Sequence, residues 1–235
     1  MTTAHERTGR VNQKLRTRAA IVEACRAVIR TGGPVTMPTV ARAALVSEPT
    51  AYRYFPDLTS LLNAALAGMW PTPAEALEPI AASADPVERV AFAAEYFLRR
   101  VLNYQGAVRA MISATVTRPE LAASYRPGIR FGLIDQALDP VTGILGLPAK
   151  RLAQLKNDLA AVISADALFP LTDLCRLSPD EAVSSLVRTA TTITAVATCG
   201  DGPGPSRPPV PSRPKNLLTS WRVPDPAVAG GLGGP

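Results

Sequence analysis

Apolar residues return at spacings of three and four along the chain as far as about residue 199, the rhythm of helices that bury one face. In RTRAAIVEACRAVIRT, residues 16 to 31, Ile21, Ala24, Cys25, Val28 and Ile29 fall on one side and Arg18, Glu23, Arg26 and Arg30 largely elsewhere. This predicts a first amphipathic helix, stopped by Gly32 and Gly33. A second helix starts behind Thr36, a capping residue, with Val35 and Val40 placed to close a hydrophobic staple, and it runs to about Ala43. After a loop of only Ala44 to Val46, Ser47 can cap a third short helix that tolerates Pro49 in its first turn. Two short helices joined so tightly predict a helix-turn-helix.

Three later helix starts share one signature, in TPAE at 72 to 75, DPVE at 85 to 88 and SPDE at 178 to 181. Each has a capping residue, proline at the first helical position and glutamate three residues after the cap. Between these marks the pattern predicts helices at about 58 to 69, 73 to 82, 86 to 104, 105 to 117, 126 to 145, 149 to 174 and 179 to 198. No strand-like alternation and no internal repeat is found, so the fold class is all-α. From Gly200 the composition turns to GDGPGPSRPPVPSRP and later GGLGGP, which predicts a disordered Pro/Gly-rich tail over 200 to 235 in which Trp221 is incidental.

The formal net charge of +6 is weighted to the start of the chain, where Arg7, Arg10, Lys14, Arg16 and Arg18 are met only by Glu6. Residues 1 to 15 therefore read as a disordered basic arm suited to phosphate. The three cysteines, Cys25, Cys175 and Cys199, are far apart and lack metal-ligand spacing, which fits a reducing cytoplasm and predicts neither disulfides nor a metal site. No apolar run of about 18 residues and no leader pattern appears, so no membrane partner is expected. The single histidine is His5, and no phosphate loop, nucleophile elbow or metalloprotease pattern occurs. Catalytic residues and a cofactor are accordingly not expected, and the chain does not read as an enzyme.

On the third helix, Ala51 and Phe55 lie about 40° apart, while Pro49, Thr50 and Arg53 point the opposite way with Tyr52 beside them. A hydroxyl, a guanidinium, a phenol and a proline on an outward face of this length suit base edges and phosphates in a major groove of double-stranded DNA. The same pattern also fits an ordinary helical hairpin with a polar surface.

Residues 16 to 70 resemble the N-terminal domain of the tetracycline-repressor (TetR) family of transcription regulators. The matching pieces are IVEACRAVIRTGG, VTMPTVARAALVS and PTAYRYFPDLTSLLNAAL, in that order and spacing. The resemblance implies a three-helix DNA-binding domain at 16 to 57, followed by a helical ligand-binding and dimerisation bundle at 58 to 199. It implies that Thr36 and Thr39 approach phosphates, that Glu48, Pro49, Thr50 and Arg53 face bases, and that Tyr52 contacts the DNA backbone. Ser47 completes this set of DNA-binding residues. The helical wheel agrees for Pro49, Thr50, Tyr52 and Arg53 but leaves Glu48 nearer the packed side. Two positions depart from the family. Leu45 stands where a glycine of positive φ usually makes the turn, so either the turn bears a cost of roughly 1 to 2 kcal/mol or it follows another path. Leu58 stands where a lysine commonly holds a phosphate.

One short helix reads few base pairs, so the resemblance implies a homodimer acting as a ligand-responsive repressor on a palindromic operator. The helices at 149 to 174 and 179 to 198 are the expected contact, through Leu152, Leu155, Leu159, Val162 and Ile163 and through Val183, Leu186, Val187, Ala190 and Ile193. These stripes would equally fill the chain's own core. A small-molecule effector is implied, of unspecified chemistry. Met69, Trp70, Phe92, Tyr96, Phe97, Tyr104, Met111, Tyr125 and Phe131 either line its pocket or pack as core. The competing reading is a helical dimeric interaction protein of the same fold without specific DNA binding.

Overall fold

The computed structural model describes residues 3–116, 119–121 and 128–198, all of whose regular structure is helical. The expected tail at 200–235 lies outside the described residues. The order is α1 (Thr3–Arg30), α2 (Met37–Ala43), α3 (Glu48–Tyr54), α4 (Leu58–Leu66), α5 (Pro73–Ala76), α6 (Pro86–Asn103) and α7 (Gln105–Val116). There follow α8 (Ile129–Leu138), α9 (Thr142–Leu145), α10 (Ala149–Val162), α11 (Ala165–Asp173) and α12 (Pro179–Thr198).

Several boundaries are corrected. The expected unstructured arm before Arg16 is helical from Thr3, continuous with the first amphipathic helix, and no proline interrupts the run to Arg30. The span 73 to 82 is cut at Leu77, and Pro79, which has no N–H to give, continues it as a 3₁₀ turn over Glu78–Ile80. Pro140 likewise puts a 3₁₀ turn, Asp139–Val141, between α8 and α9. The long helix expected over 149 to 174 is two helices. Ile163 leaves helical geometry at ψ 69°, and Ser164 caps α11 by accepting from the Ala167 N–H at 3.0 Å.

The caps that were legible form. Thr72 with Glu75 and Ser178 with Glu181 close reciprocal capping boxes, and these hydrogen bonds hold both glutamates below the usual carboxylate range. Asp85 instead accepts from Val87, two residues on, and Glu88 accepts from the Ser83 hydroxyl.

The apolar stripes meet in two cores. The first gathers Ile21, Cys25 and Ile29 of α1, Val40 of α2, Ala51 of α3, Phe55, and Leu61, Leu62 and Ala65 of α4. Burial there pushes the Cys25 thiol up to about 12, so it packs as a small hydrophobe. The second joins α6, α8, α10, α11 and α12. Leu155, Leu159, Ile163, Val183, Leu186 and Ala190 are buried in it, so the stripes expected at a dimer contact are filled within one chain. Leu152, Val162, Val187 and Ile193 are half-buried against the same core.

The α7 helix belongs to both cores, with Ala107 and Met111 in the first and Val108 and Ile112 against the second. At its start, Gly106 lies against the Gly33 carbonyl, with no room for a Cβ between them. Backbone thus rests on backbone where the α1–α2 link meets the second helical body.

Arg89, 1% exposed, was not singled out by the sequence pattern. Its Nε donates to the Ala137 carbonyl at 2.7 Å and its Nη2 to Gln136 at 2.8 Å, at the end of α8. Its Nη1 reaches the Ile80, Ala81 and Ser83 carbonyls at 3.0, 3.2 and 3.1 Å. A cation is thereby held at helix ends whose carbonyls carry partial negative charge.

Candidate functional site

Both short helices of the helix-turn-helix are fixed by their first residues. Thr36 caps α2, accepting from the Thr39 N–H at 3.2 Å, and the two hydroxyls are 2.8 Å apart. Val35 and Val40 are both buried, as a hydrophobic staple requires. Ser47 repeats the arrangement on α3, accepting from the Thr50 N–H at 3.4 Å with its hydroxyl 2.8 Å from that of Thr50.

The turn between them follows the path a glycine usually takes. Leu45 adopts φ 55°, its N–H donates to the Arg42 carbonyl, and the Val46 N–H donates to the Ala41 carbonyl at 3.0 Å. This crossed pair is the Schellman ending, which satisfies two carbonyls that the end of α2 would otherwise leave open. Of the two alternatives open at the sequence level, the turn therefore keeps its geometry and bears the strain. The Leu45 side chain, 94% exposed, gains nothing in return.

On α3, Ala51 and Phe55 are 0% and 2% exposed and anchor the helix, as the wheel expects. Ser47, Glu48, Pro49, Tyr52 and Arg53 are exposed and Thr50 is half-exposed, so six of the eight expected residues reach the surface along α3 and its cap. Glu48 is corrected: it is the first residue of α3, where the preceding chain turns away, and it points to solvent rather than to the packed side. Thr36 is exposed and Thr39 half-exposed at the start of α2. Leu58, at the first position of α4, packs half-buried against the first core, while Asp57 caps that helix through the Ser60 N–H at 2.7 Å.

The exposed basic residues of this domain have two sources. Arg53 lies 5.6 Å from the Tyr54 ring centroid and Arg42 is exposed at the end of α2. From α1, Arg18 lies over the Phe55 ring at 4.9 Å, and Lys14, one turn earlier, shares its side of the helix. Sequence reasoning placed Arg18 with the basic leader; only the fold brings it over the ring of Phe55, the residue that anchors the end of α3.

A second candidate site lies between the two cores. A cavity of about 70 Å³ is walled by Leu66 of α4, Trp70, Phe97 and Tyr104 on and near α6, and Met111 and Ile112 of α7, with Arg130 and Asp166 at its polar side. The Trp70 ring sits 6.5 Å from Phe97 and 5.7 Å from Tyr104, and the Arg100 guanidinium lies 5.0 Å from it on donating to the Met69 carbonyl. Of the aromatics and methionines expected either here or in a core, Trp70, Phe97, Tyr104 and Met111 line the cavity. Phe92 and Tyr96 pack against the second core, Met69 packs against the first, Phe131 is exposed, and Tyr125 lies outside the described residues.

No cluster of metal-ligating side chains is found among the described residues, and no described helix is long and apolar enough to cross a membrane. The fold and its outer face define an all-α chain with an N-terminal helix-turn-helix and a C-terminal helical bundle. No protein-family model matches it and no curated protein matches it. Among solved structures it is similar to a TetR transcriptional regulator from Rhodococcus sp. RHA1, at 25% identity and a TM-score of 0.45, over 76% of this chain and 96% of that one.

Proposed function

We propose that the chain is a sequence-specific DNA-binding transcription regulator of the tetracycline-repressor type, acting as a homodimer on a palindromic operator and released by a small molecule. One observation carries this reading: α3 is locked to its domain by Ala51 and Phe55 while Pro49, Thr50, Tyr52 and Arg53 remain outward. A seven-residue helix so anchored fits a major groove, with Arg53 suited to a guanine edge and Tyr52 to a phosphate. Thr36, Thr39 and Ser47 bring hydroxyls and helix starts to flanking phosphates, and Lys14, Arg18 and Arg42 add charge that counterion release turns into affinity.

The dimer would use the outward sides of α10 and α12, since their inner stripes are occupied, with Leu174 and Val196 among the exposed apolar residues nearby. Its purpose is to set two reading helices about 34 to 36 Å apart, one turn of duplex. The test is selection of bound duplexes from a random library by the full chain. A palindromic consensus, with Arg53→Ala relaxing preference at one base position, supports the reading; weak binding of all sequences alike, erased by salt, would sink it in favour of an interaction protein.

A further inference from the structure

Part of α1 belongs to neither core. From Val11 to Arg16 every residue of the helix is exposed, whereas Ile21, Cys25 and Ile29 further along it are buried. We propose that this free stretch is a second DNA contact, blind to sequence, which grips phosphates with the Lys14 side of the helix and leaves the Arg16 side in solvent. The proposal rests on the regulator reading for its partner and adds a surface to it.

Helical register decides which side carries the charge. At 100° per residue, positions 7, 10, 14 and 18 fall within about 80° of one another, and positions 21, 25 and 29 continue the same stripe. The side of α1 that is apolar where it packs is therefore basic before Ile21. Position 16 lies about 160° from position 18, on the back of the helix. Arg18 is over the Phe55 ring at 4.9 Å, and Phe55 ends α3, so the stripe begins at the end of the proposed reading helix. Lys14 and Arg16 have no ion-pair partner among the described residues.

Composition points to the occupant. Over residues 3 to 16 the sequence sets Arg7, Arg10, Lys14 and Arg16 against Glu6 alone, and an unpaired run of one charge is matched by a polyanion. Between Val11 and Arg16 only those two ends of the i, i+4 pair Val11 and Leu15 are apolar, too little for a protein interface and without the aromatic face that enters lipid. The stretch from Thr3 to Arg16 is roughly 20 Å long, while a duplex carries one phosphate charge per about 1.7 Å of its axis. One side of such a rod therefore meets several phosphates. Helical order also needs this partner, since no packing supports residues 11 to 16 and Gly9 costs about 1 kcal/mol against alanine in a helix.

The test measures binding of the full chain to a random-sequence duplex of about 30 base pairs, three helical turns, by fluorescence anisotropy over a salt series. Lys14→Gln should lower the slope of log affinity against log salt by about 0.9 for each bound protomer, and Arg16→Gln by less than about a third of that. Asn12→Pro keeps every charge but breaks the rod; it should weaken binding at least as much as Lys14→Gln and leave Tm unchanged, because residue 12 is exposed. Equal effects of Lys14→Gln and Arg16→Gln would reveal an unstructured charged tail and overturn the proposal. So would an unaltered slope in Lys14→Gln, parental binding by Asn12→Pro, or tighter binding to vesicles of anionic phospholipid than to duplex. Operator selection by the parent chain is a separate measurement. An operator selected without these differences ends this proposal alone, and these differences without a selected operator end the regulator reading alone.

Discussion

Leu45 offers a direct measure of strain in the helix-turn-helix. At φ 55° an L-residue carries a cost of about 1 to 2 kcal/mol that glycine does not. Glycine in turn loses about 0.4 to 1 kcal/mol more on folding because its unfolded chain is freer. The leucine side chain is 94% exposed, so its removal forfeits almost no burial. Leu45→Gly should therefore stabilise the protein by about 0.5 to 1 kcal/mol net, raising Tm by roughly 1 to 4 °C for a chain of this size. Leu45→Ala keeps a Cβ in the same conformation and should be close to neutral, while Leu45→Asn, which tolerates this region, should fall between. Urea unfolding followed by circular dichroism gives the ordering. A glycine variant no more stable than the parent, or an alanine variant as stable as the glycine one, would refute the argument that backbone strain at this turn is borne by the leucine.

Arg89→Met should cost about 3 to 5 kcal/mol, because five donor contacts vanish and buried carbonyls at two helix ends lose their partner; a midpoint shift in urea of less than half that size would show that water replaces the guanidinium. Gly106→Ala should destabilise by about 1 to 3 kcal/mol, since the new methyl meets the Gly33 carbonyl and one backbone must retreat; an unchanged Tm would mean the contact yields freely. The capping box at Ser178 also has an acid signature. Hydrogen bonds from Ser178 hold the Glu181 carboxyl below its ordinary range, so its contribution is present above the unfolded pKa and fades as pH falls through the lower folded one. Glu181→Gln should accordingly lower the urea midpoint at pH 7, with the gap closing on acidification; a gap that persists unchanged would contradict the assignment.

Local signals with a single dominant cause were legible along the chain. Thr36, Ser47, Thr72 and Ser178 cap the helices they were expected to cap, because a short side chain reaching its own backbone needs no tertiary help. The outward set on α3 was legible for the same reason, since a helical wheel fixes relative directions and two buried anchors fix the rest. What failed depended on distant partners. Ser164 looked like one polar residue inside a long apolar pattern, and its capping role appears only once Ile163 turns into the core. The stripe of Leu155, Leu159 and Ile163 could have faced a second subunit or the chain itself, and periodicity is blind to that choice. Arg89 was invisible because nothing local distinguishes a buried arginine from a solvated one when two of its partners lie 47 and 48 residues away and the other three are bare carbonyls of a turn 6 to 9 residues before it.

That arginine has a consequence for how the C-terminal body comes apart. Its guanidinium ties the 80–83 segment to the end of α8, so fraying at either place gives up charge-assisted hydrogen bonds to the other. Separate breathing at either place is therefore penalised, and amide protons at both should exchange predominantly in one concerted opening with a common denaturant dependence.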